Sequence, residues 1–412
     1  MIELNAVQTV AFGGLALFLG YALCRVIPVL GRYNLPAPVI GGLVVALVVL
    51  WAHGRDTVLF QFDTALQGPL MVAFFTAMGV NASVALLRIS GKQVMVFLAL
   101  ASGFAVIQNL VGIGVATSFG LDPMFGVLAG SATLTGGPAT GLAFAPLFEQ
   151  AGLVGAESIA ITSAMAGIVC GGVVGGPAIT VLIRRLRLRT GADAVATEPV
   201  EVQVPAAVAE ELDVAVGEGV VVDTEAAREF NALKSIVVIL LAMWVGAWVG
   251  KGFDAIGLTL PVYIGAMLVG AVIRNFDDHT GWVGLSVQTT DLIGNVCLAL
   301  FLAVALMNLK LWELSGLALP LVVNLAVQVA LVVAFCIPVF RIMGRDYDAA
   351  VMGGGFIGFM LGTTANAMAV MRTLVLRYGM APRAFLVAPL VGAFFIDFTN
   401  ALIITGFLNF WP

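Results

Sequence analysis

Gly126-Val-Leu-Ala-Gly130-Ser131-Ala-Thr133-Leu-Thr135-Gly136-Gly137-Pro138-Ala139-Thr140-Gly141 is too rich in glycine for an ordinary membrane helix, yet long apolar runs surround it. A second such stretch, Gly353-Gly-Gly355-Phe-Ile-Gly358-Phe-Met-Leu-Gly362-Thr363-Thr364-Ala365-Asn366, holds the matching place in the other half. In hydrocarbon an unpaired backbone N–H or C=O costs several kcal/mol, so irregular backbone survives at depth only inside protein or beside a water-filled cavity. The two stretches are therefore expected to be re-entrant hairpins, spanning 124–147 and 350–371, that meet near the middle of a bilayer and hold a small solute.

Composition supports a membrane setting. Of 412 residues, 61% are hydrophobic and 10% are charged, whereas soluble domains carry about 25% charged residues. Apolar runs recur at membrane-spanning length, without the strict alternation of a transmembrane barrel. In the first half they cover 7–30, 37–53, 69–87, 94–118 and 157–183. In the second they cover 232–251, 260–274, 290–309, 315–341 and 383–408. The expected fold is an all-α polytopic membrane protein of two five-helix repeats, each with one hairpin. The N-terminal repeat takes residues 1–183 and the C-terminal repeat 232–412. Between them, 184–231 opens with Arg184, Arg185, Arg187 and Arg189 and continues as an acidic linker.

At an offset of 226 residues, Gly68, Ala73, Phe75 and Ala77 fall on Gly294, Ala299, Phe301 and Ala303. Asp122, Gly136 and Ala139 fall on Asp348, Gly362 and Ala365. Such identities come cheaply among apolar residues, and the shared order of spans and broken segment carries more weight. Counting crossings from outside puts 16 of the 19 Lys and Arg residues on the cytoplasmic side, leaving Arg55, Lys251 and Lys310 outside. That bias predicts external termini and a cytoplasmic linker. Five crossings are odd, so the repeats are expected to be inverted, with hairpins from opposite faces.

A broken helix leaves free N–H groups at one end, which favour an anion, and free carbonyls at the other, which favour a cation. Thr135, Gly136, Gly137, Thr140, Gly362, Thr363, Thr364 and Asn366 are the candidate substrate-binding residues. Asp397, three residues before Asn400 on one helix face, lies near the centre of the last span. A charge there costs about 2.5–3.5 kcal/mol on insertion scales, so it should face a polar interior. Asp397, Asn400 and Asn109 are the candidate ion-binding residues, with Na⁺ at Asp397. Gln108, Asn324 and Gln328 are further polar candidates, with bonding between helices as the alternative. No nucleophile and base, metal cluster or ATP-binding motif is evident, which argues against an enzyme and for coupling to an ion gradient. A passive channel is the other reading, marked by flux without saturation or Na⁺ dependence.

Leu35-Pro36-Ala37-Pro38-Val39-Ile40-Gly41-Gly42-Leu43, Leu121-Asp122-Pro123, Asn308-Leu309-Lys310-Leu311-Trp312-Glu313 and Val391-Gly392-Ala393-Phe394-Phe395-Ile396-Asp397 resemble the bacterial sodium/glutamate symporter family. The resemblance covers nearly the whole chain outside the linker. It implies Na⁺-coupled glutamate uptake across the inner membrane, ten spans, inverted repeats and a homodimer with elevator-type movement. The chain departs from the family at the hairpin tips. Pro138 and Ala139 replace a histidine and glycine, Gly362-Thr363-Thr364-Ala365 replaces a Gly-Ala-Thr-Pro pattern, and Gly355-Phe356-Ile357-Gly358 replaces a Gly-His-Cys-Gly-like start. Aspartate, another small dicarboxylate or amino acid, an unrelated anion, and proton coupling are the alternatives these departures raise.

Overall fold

The computed structural model describes residues 2–32, 35–55, 57–85, 91–188, 225–255, 260–314 and 316–410. Most of the expected linker, 189–224, lies outside the described residues. The first half contains α1 (Ala6–Val26), the short α2 (Pro28–Arg32), α3 (Ala37–His53), α4 (Gln67–Val80) and α5 (Gly91–Ser118). Then come α6 (Pro123–Val127), a π turn (Leu128–Ala132), α7 (Gly137–Gln150) and α8 (Ala156–Leu186). The second half contains α9 (Glu225–Ala255), α10 (Val262–Thr280), α11 (Val287–Met307), a 3₁₀ turn (Leu311–Leu314) and α12 (Ala318–Ile342). It ends with α13 (Tyr347–Met360), α14 (Thr364–Tyr378), α15 (Pro382–Leu390), a second π turn (Val391–Phe395) and α16 (Ile396–Phe410). Shifted by 226 residues, the first-half bounds fall on their second-half counterparts to within about a turn, apart from a longer α9, an α11 that starts six residues earlier than α4 implies, and the small extra α2.

Among the described residues, six helices, at 6–26, 91–118, 156–186, 229–253, 287–307 and 318–342, are long and apolar enough to cross a membrane. The other expected spans are shorter in α3 and α4, carry charges at the end of α10, or are interrupted by the π turn between α15 and α16. Sequence reasoning anticipated neither that interruption nor a small parallel ribbon pairing Ile2–Leu4 with Phe60–Phe62.

Local chemistry sets the ends. Asn5 and Gln8 form a reciprocal capping box on α1, and Ser286 caps α11. Asp122 accepts the Met124 N–H ahead of Pro123, whose fixed φ suits a first helical position.

The helices pack in two groups. One joins α1, α3, α4, α9, α10 and α11; the other joins α5 to α8 and α12 to α16. Small residues bring helices together in the first group. A Cβ on Gly41 would lie 1.8 Å from the Ala16 carbonyl oxygen, so α1 and α3 touch backbone to backbone. The second group has its own apolar core, with Phe97, Phe104, Phe356, Met360 and Leu361 buried together. A further core lies on the seam, where Tyr263 of α10 stacks on Phe75 of α4 and meets Phe144 of α7 edge-on, with centroids 6.1 Å apart.

Candidate binding centre

Both glycine-rich stretches are broken helix pairs. In the first, α6 runs into the π turn, and Gly130 leaves helical geometry at φ −101, ψ −125. The chain then passes Thr133–Gly136 and restarts at Gly137, whose φ of +67 lies in the left-handed region. In the second, α13 and α14 are separated by Leu361–Thr363, with Thr363 extended at φ −139, ψ 170. The observed pairs cover 123–150 and 347–378. The apolar pattern under-read the second arm of the latter because Arg372 and Arg377 interrupt it.

The tips meet. A Cβ on Gly137 would lie 3.0 Å from Thr363 Cγ2 and 3.5 Å from the Gly362 carbonyl oxygen. Gln108 of α5 ties the two pairs together: Thr135 Oγ1 donates to its Oε1 at 2.6 Å, and its Nε2 donates to the Met360 carbonyl at 2.9 Å. Gln328 of α12 donates in turn to the Gln108 carbonyl at 2.8 Å. Thr140 is buried beside Gly136, while Thr363 and Thr364 are half-buried. Thr364 donates to the Gly392 carbonyl at 3.0 Å. Asn366 is buried and donates to the carbonyls of Ile168 at 3.1 Å and Gly358 at 3.3 Å.

The first π turn draws in three asparagines. Asn109 Oδ1 accepts the Ser131 N–H at 2.9 Å, Asn324 donates to the Ala129 carbonyl at 2.7 Å, and Asn400 donates to the Ser131 carbonyl at 2.9 Å. Asn109, Asn324 and Gln328 do bond between helices, the alternative weighed from the sequence, and Asn400 does so as well. Each still has spare capacity. Asn109 Nδ2, Asn324 Oδ1, Gln328 Oε1, Asn366 Oδ1, Asn400 Oδ1 and Ser131 Oγ are buried without a partner among the described residues. Such orphaned groups are costly in a folded interior and mark places where a solute or ion can bind.

Asp397 opens α16 after the second π turn and makes no hydrogen bond or ion pair among the described residues. Across the seam the buried Tyr263 hydroxyl likewise has no partner among the described residues. Asn400 turns toward the broken turn, so the two residues that share a helix face serve different neighbours. At the base of the second pair, burial pushes the Asp348 carboxyl up. The Ala384 and Arg383 amides and the Arg383 guanidinium oppose that rise without cancelling it. Sequence reasoning missed Ser131 and Tyr263. Ser131 had a signal, as the hydroxyl beside Gly130; Tyr263 had none.

The family model described as sodium/glutamate symporter matches residues 2–380. The sodium/glutamate symporter of Escherichia coli K12 is 39% identical over 410 residues, covering 99% of this chain and 98% of the relative. The Haemophilus influenzae sodium/glutamate symporter is 38% identical over 399 residues, covering 96% and 95%. A helical chain with an apolar exterior, two broken helix pairs and this full-length similarity belongs to the sodium/glutamate symporter family.

Proposed function

We propose that this protein is a secondary active transporter that couples Na⁺ entry to uptake of glutamate across the bacterial inner membrane. The observation that carries the reading is the meeting of the two tips, Gly137 against Thr363, inside a buried polar network of a family member. In this reading the pairs are re-entrant hairpins of two inverted five-span repeats, 1–183 and 232–412, joined by a cytoplasmic linker with both termini periplasmic. Thr135, Gly136, Gly137, Thr140, Gly362, Thr363, Thr364 and Asn366 line the substrate side and offer N–H and hydroxyl donors to carboxylates. Asp397 supplies the negative charge for a cation or the substrate ammonium, and Asn400 and Asn109 complete the ion-binding set from the broken turn. The two packing groups support an elevator-type movement of the hairpin-bearing group against the other, within a homodimer. Coupling then follows if ion and solute stabilise the same closed arrangement, since each raises the other's affinity by the same factor.

The test is uptake by the full-length protein in proteoliposomes. Labelled glutamate accumulates against its gradient when an inward Na⁺ gradient is imposed and not when K⁺ replaces Na⁺. Aspartate and other dicarboxylates serve as competitors, because Pro138 and Ala365 alter the tips. Accumulation driven by a proton gradient alone, or flux that neither saturates nor accumulates, would sink the reading.

A further inference from the structure

Each of Asn324 and Asn400 spends its amide nitrogen on a carbonyl of the first π turn, at 2.7 and 2.9 Å. Those bonds fix which end of each amide is left over, and it is the oxygen. Asn324 Oδ1 and Asn400 Oδ1 are buried without a partner, as is Ser131 Oγ on the turn itself. Gln328, one helical turn after Asn324, repeats the pattern: its nitrogen bonds the Gln108 carbonyl at 2.8 Å and its Oε1 is left over. A Cβ on Gly130 would lie 3.3 Å from that same Gln108 carbonyl oxygen, so the carbonyl that Gln328 bonds lies beside the turn. Four neutral oxygens without a partner among the described residues thus belong to Ser131 itself or to side chains that bond the turn or the α5 carbonyl beside it. The turn ends the short first arm of the pair, where unwound carbonyls and a helix C-terminus favour a cation.

We propose that Ser131 Oγ, Asn324 Oδ1, Asn400 Oδ1 and Gln328 Oε1 form a charge-neutral Na⁺ site on the broken turn, leaving Asp397 for the substrate ammonium. The proposal rests on the Na⁺-coupled reading above and says where the ion sits. A cage without a carboxylate leaves the ion's charge uncancelled in a low-dielectric interior, so bound Na⁺ attracts an anionic solute nearby. By reciprocity the solute raises Na⁺ affinity, which is the coupling a symporter needs. Asn109 Nδ2, the leftover donor on this turn, suits an anion and marks the side from which the solute approaches.

Thermal unfolding of the full-length protein in detergent tests this without glutamate, with NaCl titrated against choline chloride at constant ionic strength. Wild type gains stability with Na⁺, because ligand that binds only the folded state raises its midpoint. Ser131→Ala and Asn324→Ala each raise the Na⁺ concentration for half the effect by about tenfold, the scale of one lost contact to a charge. Ser131→Thr, which keeps the hydroxyl, restores most of that loss. Asp397→Asn moves the midpoint less than Ser131→Ala does. Either alanine variant, folded and with the wild-type midpoint, overturns the proposal, as does a larger shift in Asp397→Asn or no Na⁺-specific stabilisation of wild type. Na⁺ stabilisation of a wild type that accumulates no glutamate would leave the site standing and bring down the transport reading instead.

Discussion

In the first broken pair, asparagines from α5, α12 and α16 reach in to bond the backbone of residues 129–131. In the second pair, Asn366 comes from the pair's own second arm and bonds Gly358 within the pair and Ile168 of α8. Most of this polar set has no counterpart in the other half, although Gln328 answers to Ser102. At the 226-residue offset, Gln108, Asn109 and Ser131 answer to Ala334, Phe335 and Ile357, while Asn324 and Asn400 answer to Leu98 and Val174. The two halves offer a similar order of helices, and only the first break carries this polar lining among the described residues. The first break is therefore the more polar centre, and the second meets it through a half-buried, hydroxyl-bearing tip.

Asp397 is the largest asymmetry, because its counterpart is Gly171, where a Cβ would lie 2.7 Å from Asn366 Nδ2. One repeat excludes a side chain where the other presents a carboxylate. Asp397→Asn keeps the shape and removes the charge, and is expected to lower Na⁺-driven accumulation about a hundredfold, equivalent to about 2.7 kcal/mol. Proteoliposome uptake at matched protein loading measures this. Wild-type Na⁺ dependence in that variant would reduce Asp397 to a structural residue.

Backbone spacing differs next. A Cβ on Gly126 would sit 2.1 Å from the Gly112 carbonyl carbon, so α5 and α6 touch through their main chains. Their counterparts Pro338 and Met352 carry side chains, and in the second pair a Cβ on Gly353 would meet α12 at the Cys336 Sγ, 2.7 Å away, rather than at main chain. Gly126→Ala has backbone on the other side and must part the helices, costing about 3 kcal/mol in thermal unfolding. An unchanged unfolding curve would mean that the close approach is dispensable.

Gln108 is where the pairs are joined. Gln108→Ala leaves Thr135 Oγ1 and the Met360 carbonyl without their bonds and opens a cavity, for a loss of about 2 kcal/mol. A double-mutant cycle with Thr135→Val isolates their bond, with an expected coupling of about 1 kcal/mol. Additive losses would show that the two side chains act independently.

Much of this frame is legible from hydropathy. The glycine runs in 124–147 and 350–371 lie within the observed pairs, because no ordinary span tolerates so many glycines, and the long spans reappear as α1, α5, α8, α9, α11 and α12. The centre is less legible. Asn109, Asn400 and Asp397 stand out as polar residues in apolar runs, but their partners are main-chain groups up to 269 residues away, as for Asn400 and Ser131. Sequence spacing carries no record of such bonds. Nor could it show that Asp397 and Asn400, three apart, address the seam and the broken turn respectively.

The smallest expected effects concern Asp122 and Asp348, which occupy matching positions at the start of each pair and do different jobs. Asp122 caps its own helix through the Met124 N–H at 2.7 Å, so Asp122→Ala should cost about 1 kcal/mol. Asp348 leaves capping to Asp346, which accepts the Ala349 N–H, and instead accepts the amides of Arg383 and Ala384 from the start of α15 at 3.0 and 3.2 Å. Burial raises the Asp348 carboxyl, so the folded state keeps its proton to higher pH than the unfolded chain. Stability from that proton is present below the unfolded pKa and is lost as pH rises through the folded one. Asp348→Asn retains an oxygen that can accept both amides and avoids burying a charge. Its stability relative to wild type should therefore improve from pH 4 to pH 7, by an amount that solvent screening keeps small. The opposite trend would mean that the two amides and Arg383 outweigh burial, and that Asp348 holds α15 as an ionised clamp.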